Sequence, residues 1–169
     1  MALDQIELNL LREIADLHQI PEGAYNIRLN GESAGRNSTE NITIEPKTDK
    51  PGINIYIKPG TKNEACHIPV MLSQSGITEV VYNDFFIGED ADVTIVAGCG
   101  IHNCGTDLTE HDGVHTFHVG KISALHWVWC IGRGPHLQLR QEPQGSSDFR
   151  LRSQGPCRLG TGESGLVVG

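Results

Sequence analysis

After residue 23 the apolar residues stop recurring every three or four positions and begin to recur every two. That change of period confines most of the chain to strands, because side chains repeat every 3.6 residues on a helix and every two on a pleated strand. Tyr25-Asn26-Ile27-Arg28-Leu29, Ile42-Thr43-Ile44 and Ile53-Asn54-Ile55-Tyr56-Ile57 alternate apolar and polar residues. Such runs are half-buried strands. Asn30-Gly31, Pro51-Gly52 and Pro59-Gly60 lie between them, with backbone preferences that suit tight turns. Further short strands are expected at Ile68 to Leu72, Ile77 to Tyr82, Val93 to Ala97 and Val114 to Val119.

Ahead of this body, Leu3, Ile6, Leu10, Ile14 and Leu17 form one apolar stripe at helical spacing, and Asp4 with Glu7 has the form of a capping box. Pro21 and Gly23 end the helix. Strands that arrive roughly every ten to fifteen residues without intervening helices indicate a mainly β fold behind one N-terminal helix. Two architectures satisfy this pattern. A sandwich or jelly roll would use antiparallel pairing, which Asn30-Gly31 favours locally. A right-handed β-helix would stack short rungs with corners at Gly60, Gly76, Gly88 and Gly98.

The sequence changes character at Lys121. Residues 1–120 hold 7 Lys or Arg against 18 Asp or Glu, whereas residues 121–169 hold 6 against 3. Ile122 to Ile131 fits a strand or a short helix, and the remainder, rich in Gly, Arg, Gln, Ser and Pro, shows neither period. The expected organisation is an N-terminal helix over residues 1–23, a β core over 24–121 and an irregular tail over 122–169. A truncation or shifted reading frame after about Lys121 would produce the break, and so would a native flexible tail.

The chain carries a net charge of -8, most of it in the body, which argues against a nucleic-acid partner. No stretch approaches the ~20 consecutive apolar residues that a membrane helix requires. The N-terminus lacks the basic start and apolar centre of a secretory signal, so a cytoplasmic protein is expected. Its five cysteines, Cys66, Cys99, Cys104, Cys130 and Cys157, are odd in number and read as thiols or metal ligands rather than a disulfide framework.

The densest chemistry lies between Cys99 and His118. Cys99, His102, Cys104, Glu110, His111 and His115 are the candidate metal ligands, with Asp107 and Asp112 in reach, since thiolate and imidazole suit zinc, copper and iron–sulfur centres. His111 and His115 would share one face of a helix; in a strand they share a face but stand ~13 Å apart. The bland alternative for His115, beside Phe117 and Val119, is a hydrogen-bonded core histidine. His118 should face the other way. Gly98-Cys99-Gly100 with His102 or His115 as base could form a cysteine nucleophile, whereas metalloprotease, phosphate-loop, serine-elbow and dinucleotide motifs are missing.

Longer phrases connect these residues to a family. Val81-Tyr-Asn-Asp-Phe-Phe-Ile-Gly-Glu-Asp-Ala-Asp-Val-Thr-Ile-Val-Ala-Gly-Cys-Gly-Ile-His-Asn103, then Thr109-Glu-His-Asp-Gly-Val-His-Thr-Phe117, resemble the SufB/SufD family of iron–sulfur assembly proteins, and its short SufD-like members in particular. Asn30-Gly-Glu-Ser-Ala-Gly-Arg-Asn37 and Ile57-Lys-Pro-Gly-Thr-Lys-Asn-Glu64 fit as well. The resemblance covers about residue 3 to Lys121. It implies a partial right-handed parallel β-helix (solenoid) behind the N-terminal helix and a scaffold rather than an enzyme. It also implies a transient iron–sulfur cluster, a SufC-like ATPase and a SufB/SufD-like homologue as partners. Residues 122–169 depart from the family pattern, where its later rungs and C-terminal helices carry those contacts. Two further readings of the residues stay open: a cupin-like protein holding zinc or iron through Glu110, His111 and His115, and a cysteine-dependent enzyme.

Overall fold

The computed structural model describes residues 3–102, 105–121, 123–131, 137–141, 148–153 and 164–167. One helix, α1 (Gln5–Ala15), precedes twelve strands. These are β1 (Ala24–Leu29), β2 (Glu32–Asn37), β3 (Ile42–Pro46), β4 (Gly52–Ile57), β5 (Lys62–Leu72), β6 (Thr78–Ile87), β7 (Asp92–Ile101), β8 (Glu110–Val119), β9 (Ala124–Ile131), β10 (Leu137–Gln141), β11 (Asp148–Ser153) and β12 (Ser164–Val167).

The strands form two six-stranded sheets. One has the order β10-β9-β7-β5-β1-β2 and the other β12-β11-β8-β6-β4-β3. Between β5 and β9 the chain changes sheet after every strand, so consecutive strands never pair and each pairs in parallel with the next but one. The outer pairs, β1–β2, β3–β4, β9–β10 and β11–β12, are antiparallel, as is β8–β11. Mixed sheets packed face to face in this way make a sandwich-like fold. The expected β-helix solenoid is therefore corrected: antiparallel hairpins close both edges of each sheet. Within the tail expected to be irregular, β9 to β12 extend both sheets, and residues 122, 132–136, 142–147, 154–163 and 168–169 lie outside the described residues.

The turn chemistry reads through to the structure. Asn30 and Gly31 both have positive φ, 51° and 85°, as a two-residue hairpin turn joining β1 to β2 requires. The interior follows from alternation: Ile53, Ile55 and Ile57 on β4, Phe85 and Ile87 on β6, Cys66 and Ile68 on β5, and Val93, Ile95 and Ala97 on β7 are buried together. Phe85 stacks on Phe117 of β8 with ring centroids 4.7 Å apart. The opposite face of the second sheet carries Tyr56, Phe86 and His118 as a stacked row, so His118 does point away from His115.

Helix α1 begins with the expected capping box, Asp4 and Glu7 each bonding the other's backbone N–H. It ends at Asp16 in a left-handed conformation, before Pro21 is reached. Its buried face is Leu10, Leu11, Ile14 and Ala15, packed with Ile27 and Met71, while Ile6 of the expected stripe is exposed. The helix lies so close to β7 that a Cβ on Gly98 would meet the Ile14 carbonyl oxygen at 2.1 Å. Gly98 is thus a seat for the helix. Gly98→Ala should push α1 off the sheet and lower the unfolding free energy by about 1–3 kcal/mol, read by denaturant titration together with faster proteolysis of the first 16 residues. An unchanged midpoint would place the helix elsewhere.

Candidate functional site

The interior of the sandwich changes from apolar to polar towards one end. On β8 the inward positions are His111, Gly113, His115, Phe117 and Val119, all buried. β6 runs beside it in parallel and sets Glu79 against His111, Val81 against Gly113, Asn83 against His115 and Phe85 against Phe117. Each inward histidine therefore meets a polar partner from β6, and Phe117 meets Phe85.

Glu79 is the centre of this network. Its Oε1 accepts from His111 Nδ1 at 2.9 Å, and its Oε2 accepts from Arg28 Nη2 at 2.7 Å. Arg28 belongs to β1 in the other sheet, so the ion pair crosses the interior, with the side chains only 17% and 10% exposed. Burial alone would raise the Glu79 pKa, but the hydrogen bonds and charges of His111 and Arg28 outweigh it and hold the carboxyl below its ordinary value. An ionised carboxylate only accepts, so His111 Nδ1 carries a proton and, in the neutral ring, Nε2 keeps a lone pair.

His115 has the opposite tautomer. The Ile53 N–H donates to Asn83 Oδ1 at 3.2 Å, which leaves Asn83 Nδ2 to donate to His115 Nδ1 at 3.3 Å. The His115 proton is therefore on Nε2. Burial, with the neighbouring His111 charge as a lesser cause, lowers the His115 pKa to about 3.

The two rings lean towards each other over Gly113. A Cβ there would lie 2.9 Å from His115 Nε2 and 3.7 Å from His111 Nε2. A strand alone keeps such residues ~13 Å apart, and the missing side chain lets them close that gap. One nitrogen of the facing pair bears a proton and the other a lone pair. For both to bind one ion, His115 would have to give up its Asn83 bond.

The other expected residues separate. Glu110 opens β8 and, by alternation, faces away from His111. His102 follows β7 and is half-buried, with its N–H on the Leu72 carbonyl. Cys104 lies outside the described residues. Cys99 is buried against Leu72 and Ile101 on the inner face of β7. Arg28, Val70 and Cys99 stand side by side across that sheet, so Cys99 occupies the layer that the Arg28–Glu79 pair spans. Among the described residues no three His, Cys, Asp or Glu side chains converge to hold a metal ion.

Gly98 and Gly100, which gave Cys99 the look of a nucleophile turn, sit within a regular strand beneath α1. Cys66 and His67 project to opposite faces, as extended backbone requires, and burial pushes the Cys66 thiol up to about 12. A thiol reagent at neutral pH should therefore leave Cys66 unmodified in the native protein and label it only after denaturation. Native-state labelling would mean that the inner face of β5 is open to solvent.

Glu79 and Arg28 are the residues that sequence reasoning passed over. A signal existed: Glu79 and Asn83 lie 32 residues before His111 and His115, a shared offset between two strands whose inward positions turn polar together. Among the described residues no helix is long and apolar enough to cross a membrane. Compared with protein families, curated proteins and solved structures, the chain gives no significant match to any.

Proposed function

We propose that the protein works in iron–sulfur cluster assembly as a scaffold-type component acting with a SufC-like ATPase and a SufB/SufD-like homologue. The observation that carries the reading is the resemblance of residues 3–121, densest over 81–103 and 109–117. Those two stretches run through β6, β7 and β8, on which Cys99, His111 and His115 all turn inward at one end of the interior. A nascent cluster is the cargo of such a protein. A carrier that must later release it gains from an incomplete thiolate set supplemented by imidazole. Within that set the neutral His111 ring offers a lone pair at Nε2 and Cys99 a sulfur, while the Asn83 bond withholds His115.

Affinity capture of the full chain under anaerobic conditions, with the ATPase and the homologue co-expressed, tests the proposal. Retention of the ATPase, together with visible cluster absorption after addition of ferrous iron and sulfide and its reduction in Cys99→Ser, is the expected result. Neither retention nor absorption from a folded chain would overturn it.

A further inference from the structure

The β1–β2 hairpin sets two guanidinium groups on the interior side of the sheet. Asn26 pairs with Arg36 and Arg28 with Ser33, the extra residue of the bulge being Ala34 on β2, so Asn26 and Arg28 face inward by the plain alternation of β1. The charges around them do not cancel. Glu79 answers Arg28, but among the described residues Arg36 has no carboxylate partner. Its Nε donates to Asn26 Oδ1 at 2.9 Å, and Asn26 is itself 4% exposed. Holding Nε in this way orients the guanidinium and leaves its two terminal nitrogens as a fork. Arg28 spends Nη2 on both Glu79 and the Gly31 carbonyl, and its Nε is buried with no hydrogen-bond partner.

Arg36 is half-buried on β2, at the edge of its sheet. Desolvation, with repulsion from Arg28 as the lesser cause, lowers the Arg36 pKa, and a guanidinium so placed stays charged all the same. Two cations that face one carboxylate leave a deficit of one negative charge, in a chain that is acidic elsewhere. A planar fork carrying one uncompensated charge matches a carboxylate, which can accept two parallel N–H bonds.

We propose that Arg36, positioned by Asn26 and supported by Arg28, is a binding site for a carboxylate group, borne either by a small organic acid or by an acidic side chain of a partner. The site is separate from the cluster reading and stands without it. Its ligand would complete the charge balance beside the Arg28–Glu79 pair.

The test uses the full chain with labelled arginine side chains, titrated with acetate, with succinate and with a glutamate-containing peptide, each against chloride at equal ionic strength. The Arg36 Nε–H signal is expected to move saturably with a carboxylate and not with chloride. A preference for succinate or for the peptide would identify the source. Arg36→Lys keeps the charge but loses the fork, and should weaken binding about tenfold. Asn26→Asp places a carboxylate on Arg36 from within and should abolish binding while the fold, read by circular dichroism, is kept. Equal shifts with chloride, or unchanged carboxylate affinity in Arg36→Lys and Asn26→Asp, would overturn the proposal.

Discussion

Glu79→Ala is expected to lower the unfolding free energy by about 3–5 kcal/mol, far beyond the effect of removing a surface ion pair. The residue is 10% exposed and accepts from two donors at once, Arg28 Nη2 and His111 Nδ1. Truncation strands a guanidinium that is already short of partners at Nε. The penalty is chiefly that of leaving a buried charge without its counter-ion, rather than the net worth of the pair. Glu79→Gln keeps the shape and one acceptor, so it should cost less than the alanine variant but more than a surface substitution. Urea unfolding of the three proteins decides this. A loss below about 1 kcal/mol in Glu79→Ala would mean that Arg28 finds water and that the pair does not tie the sheets together.

The second large effect is on acid stability. His115 titrates at about 3 in the folded chain against 6.5 for an ordinary histidine. A histidine with a depressed folded pKa binds its proton more readily when unfolded. Its contribution to stability is therefore complete above about pH 6.5 and is lost as the pH falls from there towards 3. Within that window each unit of pH costs about 1.4 kcal/mol from this group alone. Glu79 acts in the same direction at the acid end, because a carboxyl held below its ordinary pKa loses its contribution only as it protonates. Stability measured by denaturant midpoint at successive pH values should fall from near neutrality downward, and His115→Leu should flatten the upper part of the slope. A wild-type curve level down to pH 4.5, the ordinary carboxylate value, would show that His115 is hydrated.

Local features of the fold were legible wherever one residue type has one backbone use. The Asp4–Glu7 box, the Asn30-Gly31 turn and the alternation of Ile53, Ile55 and Ile57 all predict the elements in which they are found. β2 was not foreseen, because Glu32-Ser-Ala-Gly-Arg-Asn37 lacks alternation and becomes a strand only by pairing with β1. The solenoid expectation went wrong at the sheet edges. Strand pairing is a long-range choice, and the hairpins that make the sheets mixed cannot be told from other turns by local period. Residues 122–131 show the same limit in reverse, since partners in the sheet, not pattern, define β9.

The candidate site was half visible. His111 and His115 could be placed on one face, but their approach depends on Gly113, a position that carries no signal without the coordinates. Glu110 counts as a candidate because it is an acid among the Cys and His residues of this stretch, and alternation along β8 turns it away from His111. Glu79 was overlooked because its neighbourhood to His111 exists only through the parallel pairing of β6 with β8.

What the interior can offer a cluster or a metal rests on where two protons sit. Long-range proton–nitrogen correlation of the histidine side chains reads both directly. His111 should show a proton on Nδ1 and His115 a proton on Nε2 alone, with His115 showing no titration until well below the ordinary histidine range. The same tautomer on both rings, or a His115 that titrates near 6.5, would contradict a proton-ordered pair held between the sheets by Glu79 and Asn83.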